Sequence, residues 1–415
     1  MKKEYIKNNW RKLDNVAKIF SMDDKKNTNI FRYSVILKKN INPNILKTAV
    51  NNTLEIYKSF KVKLGSGLFW NYLEYNKKEP LVKEEDDIPC QHIDYKRNNN
   101  YLFKVTYYKN KINLDIFHVL TDGSGAKHFL KSIIHNYLSI KYNIKYDEST
   151  PTITYQDQYI KNYDKKIQVK NNFKPAYQMP GKINRNINDT YHYIVDLQKI
   201  KTVCKELKVT ITEYITALYI YSIYKSMYKK NSRKEIKITL PVDLRKIYQV
   251  DTLSNFFVCT TINPKIKEKK LTTFKQILEQ VHLEFREVLT EENLKMCLTR
   301  DVKLGTCIPI RAVPLPMKKA IMKLVFDISG QFSTSTVSNV GIFDIDPKFQ
   351  KYIDNILVVV MPCKSEKMKC TICSYDTKLN ITINSKIQDK KFQNTFLKIL
   401  KEQLTTIKLE TNIIK

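Results

Sequence analysis

The chain has no apolar run approaching the roughly 18 residues that crossing a bilayer requires. Its start, Met1-Lys-Lys-Glu-Tyr, has no apolar core of the signal-peptide kind either. A soluble, cytoplasmic protein is the expectation, with loose membrane contact left open. Acidic residues are few, 41 against 72 Lys and Arg, which leaves a net charge of +31. That charge would suit phosphate binding. However, the lysines are spread along the whole chain, and there is no zinc-finger spacing, RNA-recognition signature or basic heptad region. Nucleic acid is therefore not an expected partner, and attraction of an anionic substrate or an acidic carrier protein fits the charge better. The eight cysteines are irregularly spaced, as in a reducing compartment. Cys370-Thr-Ile-Cys373 is the sole CxxC, falls in a strand pattern and has no second pair or well-spaced histidines, so two structural thiols are expected and no metal. Apolar residues still make up 42% of the chain, with 26 Tyr and 18 Phe, enough for globular cores in a length that favours two domains or one two-lobed unit.

Glycine is scarce too, 8 of 415 residues, and two of the eight stand together in Phe117-His118-Val-Leu-Thr-Asp122-Gly123-Ser-Gly125. This stretch lies between an alternating strand pattern, Ile112 to Phe117, and an amphipathic helix pattern from Ala126, so His118 falls where a strand ends and the backbone turns. A His-x-x-x-Asp spacing arises readily by chance, and the chain holds a second one, His192-Tyr-Ile-Val-Asp196. That one lies within a strand pattern, where positions four apart stand roughly 13 Å from each other, and no glycine follows it. After Asp122 the glycines allow the tight turn that would hold a His and an Asp near one another.

His118-x-x-x-Asp122-Gly123 resembles the active-site motif of the CoA-dependent acyltransferase superfamily. That superfamily includes chloramphenicol acetyltransferase, the plant BAHD acyltransferases, peptide-synthetase condensation domains and bacterial alcohol acetyltransferases. The wider run Phe-His-x-x-Thr-Asp-Gly-x-Gly-Ala-x-x-Phe-Leu looks most like the alcohol acetyltransferase branch, since condensation domains typically carry a histidine where this chain has Phe117. Two further stretches are similar to second-lobe signatures of the superfamily: Pro241-Val-Asp-Leu-Arg245 with Leu253-Ser-Asn-Phe-Phe257, and Phe332-Ser-Thr-Ser-Thr-Val-Ser-Asn-Val-Gly341.

The resemblance implies an α/β (α+β) fold of two chloramphenicol acetyltransferase-like lobes, each a mixed sheet with packed helices, and an active-site tunnel where they meet. The lobes are expected at residues 1–165 and 189–415, joined by a polar, Pro-containing crossover over 166–188. The implied reaction is transfer of an acyl group from acetyl-CoA or another acyl-CoA to an alcohol, with no permanently bound cofactor. His118 is then the base, Asp122 and Gly123 build its loop, and Arg245 pairs with Asp122. Thr336, Ser338 and Asn339 are candidate oxyanion donors, and Asp14 and Asn255 candidates for the acceptor channel. Two alternatives stay open: amide or ester formation on carrier-protein thioesters, and a non-catalytic binding member of the fold. Among other features, the spacing predicts a helix over Trp10 to Phe20, and one from Ala320 to Phe326 after a Pro-rich run from Ile308. His128 and His135 fall on the polar stripe of the helix after the motif, which predicts exposure.

Overall fold

The computed structural model describes residues 10–22, 28–146, 156–169, 174–184, 188–229, 232–265, 272–306, 311–404 and 406–412. The chain start, parts of the crossover and the beginning of the run from Ile308 lie outside the described residues.

In Lys111–Phe117, Ile112, Leu114 and Ile116 alternate with Asn113, Asp115 and Phe117, and the apolar set joins one core with the helix Gly123–Tyr142. The other face is buried as well and has to satisfy its polar groups. Arg32 does so with a fork to Asp115, at 2.8 and 2.6 Å, and a further bond to Glu85. These strands belong to a five-stranded sheet ordered Ile353–Val360, Ile30–Leu37, Lys111–Phe117, Phe103–Tyr108, Val82–Glu84. A seven-stranded mixed sheet, from Phe257–Ile262 at one edge to Ile407–Thr411 at the other, carries the second core with the helices Ile211–Ser226, Phe274–Val288 and Lys391–Gln403. The architecture is thus two lobes, each a mixed sheet with helices packed on it, as expected. The two exchange chain: Ile353–Val360 comes late in the sequence yet pairs antiparallel with Ile30–Leu37 in the first sheet. Paired amides of Asn355 and Asn380, at 3.0 and 2.9 Å, tie that strand back to the second.

Local expectations differ from the structure in three places. Trp10–Lys12 is a strand paired with Asn71–Tyr75, and the helix is confined to Asn15–Phe20. Asp14 caps it by accepting from Ala17 N, and a cap residue has extended backbone, so the helical spacing cannot continue back to Trp10. The later helix runs over Leu315–Ser329, longer than the spacing indicated, with Pro316 tolerated in its first turn. His135 is buried, not exposed: Tyr146 and Phe349 pack on its ring at 4.7 and 4.9 Å, and burial with nearby Lys131 pushes its pKa down to about 4. The cover comes from Pro347–Gln350, more than 200 positions away, which a helical wheel cannot register. His128 is exposed. Cys370 and Cys373 are buried free thiols in separate cores, as positions three apart on a strand must face opposite sides.

Candidate active site

Asp122 is the N-cap of the helix Gly123–Tyr142, and its Oδ1 accepts from Ser124 N and Gly125 N, both at 3.1 Å. The same oxygen accepts from Arg245 Nη2 at 2.9 Å, and Oδ2 accepts from Phe256 N at 2.8 Å. Arg245 spends its remaining donors on Thr252 O, Ser254 O and Asp243. The carboxylate therefore binds the loop of one lobe to two segments of the other, and Thr121 Oγ1 adds a bond to Leu253 O at 2.6 Å. Burial alone would raise the Asp122 pKa, but the Arg245 charge and the backbone donors outweigh it and hold the group below its ordinary value. Of the two motif glycines, the close approach is at Gly125. A Cβ there would meet Thr121 Oγ1 and stand 2.6 Å from Leu253 O, whereas at Gly123 the nearest atom would be 3.4 Å away.

This loop leaves His118 at the junction of the lobes, half-buried among Phe20, Phe31 and Phe257, whose ring centroids lie 4.4, 4.9 and 5.5 Å from its own. Nδ1 is 3.0 Å from Asn255 Oδ1. The orientation of that amide follows from its other end, because Asn255 Nδ2 reaches two acceptors, the His118 carbonyl at 3.0 Å and Asp14 Oδ2 at 3.1 Å. With the NH₂ group so placed, the amide oxygen faces the ring, and Nδ1 must carry the proton. The imidazole lone pair then sits on Nε2, which makes no hydrogen bond among the described residues. Desolvation lowers the His118 pKa, against an opposing pull from Asp122 and Asn255, so the ring is neutral at neutral pH. Asp14 moves the other way: burial pushes it up to about 7 despite its bonds from Ala17 N and Asn255.

The three hydroxyl and amide candidates on Ser335–Ile342 separate by strand alternation. Thr336 and Ser338 share one face with Lys369 and Thr371 of the paired strand, and Lys369 acts on the His118 charge, so this face looks towards the motif; where the register shifts beyond Asn339, Val340 Cγ1 lies 3.7 Å from where a Gly123 Cβ would stand. Thr336 Oγ1 is engaged with both oxygens of Glu366, at 2.9 and 3.0 Å. Asn339 is on the opposite face, exposed, donating to Thr212 Oγ1 at 2.7 Å, so it is not brought to His118. Ser338 is half-buried, and its hydroxyl makes no hydrogen bond among the described residues. The decoy pair falls apart as well: His192 Nδ1 lies 2.8 Å from Thr382 Oγ1, while exposed Asp196 caps the helix Leu197–Glu206.

An interlobe cavity of about 940 Å³ has Asp14, Val119, Leu120 and Ser254 in its wall, while His118 itself does not line it. Two features of the site had escaped sequence reasoning. The phenylalanine surround comes from three distant segments, and Lys369, paired with Glu366 at 3.2 Å, adds a charge that disfavours protonated His118. A lysine in a Lys-rich chain carries no signal of such a role. Among the described residues no group of His, Cys, Asp and Glu is placed to hold a metal ion, and no helix is long and apolar enough to cross a membrane.

Compared by sequence, the chain matches no protein-family model and no curated protein. Its structure is similar to that of polyketide synthase associated protein 5 from Mycobacterium tuberculosis, at TM-score 0.63 and 13% identity, over 95% of this chain and 97% of that one. It is also similar to F. graminearum TRI101 complexed with coenzyme A and deoxynivalenol, at 0.64 and 10% over 96% and 99%. A third likeness is to the starter condensation domain of rhizomide synthetase RzmA, a mutant in complex with C8-CoA and Leu-SNAC, at 0.63 and 10% over 96% and 95%. At these identities the likeness shows the fold, the two-lobed fold of CoA-dependent acyltransferases, along nearly the whole chain.

Proposed function

We propose that the protein is an acyl-CoA-dependent O-acyltransferase that moves an acyl group, acetyl by default, from a CoA thioester to an alcohol, with His118 as general base. The observation that carries this reading is the imidazole at the lobe junction, its Nδ1 held by Asn255 and the lone pair left on Nε2. Nε2 takes the hydroxyl proton as the oxygen attacks the thioester carbon. The tetrahedral intermediate then collapses, and the leaving thiolate takes the proton from the imidazolium, which returns His118 to its neutral form. A thiol of pKa roughly 8.5 needs little help to depart, so one base serves both steps. No acyl-enzyme is required, and the cysteines near the site are pushed toward the unreactive thiol by burial, Cys259 to about 12. Ser338 is the candidate donor to the oxyanion, since of the three it is on the face towards the motif with its hydroxyl unengaged among the described residues. Asp122 and Arg245 hold the loop.

The likeness to a starter condensation domain supports a second version of the same chemistry, in which the thioester is held by a carrier protein. The test is incubation of purified protein with mixed acyl-CoAs, carrier-bound thioesters and a panel of alcohols and amines, with products identified by mass. An ester made by the native chain and lost in His118→Ala, with the fold retained, is the expected result. Binding of CoA with no product from any pair would replace the reading by a non-catalytic one.

A further inference from the structure

The helix Leu315–Ser329 turns its apolar side outward. Met317, Ile321, Leu324, Val325 and Ile328 are 46–62% exposed, and their spacing places them within an arc of about 100°. Lys319 and Lys323 are exposed on the far side of the helix. The remaining side holds the helix to the protein: Leu315 N donates to Leu68 O, and buried Lys318 lies 3.5 Å from the Trp70 ring centroid while donating to Phe69 O, both bonds being 2.8 Å. Leu68 and Phe69, at the tip of the hairpin between Val62–Ser66 and Asn71–Tyr75, are 71% and 41% exposed and continue the surface. Seven large apolar side chains are thus exposed on the helix and the adjoining hairpin tip, and a cluster of that kind marks an interaction surface.

Charge identifies what covers it. Trp70 and Arg311 also line the interlobe cavity, whose wall adds Arg11, Lys12, Lys18 and Lys161 against Asp14 and Asp157, so a predominantly cationic wall adjoins the apolar surface at Trp70. A second copy of the chain would bring +31 against +31. An anionic lipid layer meets both features, its headgroups facing the cations of the cavity wall and its acyl boundary taking the exposed stripe. We propose that this face, helix Leu315–Ser329 with the Leu68–Phe69 tip, docks peripherally on an anionic lipid surface. On the acyl-transfer reading of the preceding subsection, the cavity then receives an acceptor alcohol dissolved in that layer.

Sedimentation of the purified chain with vesicles tests the docking without any assay of turnover, so the two readings fail separately. The chain is expected to pellet with equimolar phosphatidylglycerol and phosphatidylcholine, to stay in solution with phosphatidylcholine alone, and to be released by salt. Ile321→Glu with Leu324→Glu should weaken binding by on the order of 100-fold, since two apolar side chains are withdrawn. A second measurement needs no change in the stripe. The chain has two tryptophans, and in Trp10→Phe the emission of Trp70 should shift to the blue on adding the anionic vesicles. Indifference to both vesicles, or binding unchanged in the double variant, overturns the proposal. A dimer in light scattering that the same substitutions dissolve would also overturn it, by assigning the stripe to a second copy.

Discussion

Replacing Asp122 with Asn keeps the shape of the side chain and removes its charge, and the four bonds it accepts set the cost. Suppose the amide oxygen stays on Arg245 Nη2, Ser124 N and Gly125 N: the new NH₂ then faces Phe256 N, donor against donor. Flipping the amide relieves Phe256 and turns the NH₂ on the guanidinium and two backbone amides. Neither orientation satisfies the set. Arg245 is also left without its buried partner, which typically costs about 3–5 kcal/mol. Urea unfolding of Asp122→Asn, Arg245→Met and the double variant should show each single change costing that much, and the pair costing less than the sum by about 1–3 kcal/mol. Asp196→Asn is the matched control. That carboxylate has the same spacing from a histidine, but it is an exposed cap accepting from Lys199 N, where Asn serves nearly as well, so a change under about 1 kcal/mol is expected. The pH dependence follows from the same geometry. Because Asp122 is held below its ordinary value of 3.8, its contribution is present above that pH and lost as pH falls through the lower folded value. An Asp122→Asn protein as stable as the native one, or a cycle with no coupling, would refute the bracing role.

The remaining expectations concern rate and packing. His118→Ala should lower kcat by on the order of 100-fold to 10,000-fold with a native circular dichroism spectrum retained. Because only the neutral ring accepts a proton and burial depresses its pKa, the acid limb of kcat/KM should have its midpoint below 6.5, and Asn255→Asp, which sets a carboxylate against Nδ1, should move it upward. Gly125→Ala should destabilise by about 1–3 kcal/mol because the obstructing Leu253 carbonyl is backbone, while Gly123→Ala should cost less; circular dichroism melts separate the two. Ser338→Ala should cost about 100-fold in kcat if it donates to the oxyanion, and Asn339→Ala, on the far face of the strand, almost nothing.

Much of the local structure was written in the sequence. Strand alternation from Ile112 and helical spacing after Ala126 place His118 at a turn, because those periods depend only on neighbours along the chain. The cap at Asp122 and the glycine pair after it are local in the same sense. Tertiary structure decided the rest, wherever the partner was distant in sequence. Asn255, 137 positions from His118, fixes which ring nitrogen bears the proton. Pro347–Gln350 buries His135, which its own helix would expose, and Ile353–Val360 crosses into the first sheet to partners that lie more than 300 positions earlier. The physical reason is one of range. Dihedral preferences and hydrophobic periods act over a few residues, whereas proton position, burial and ion pairing depend on whatever group folding brings within a few ångströms.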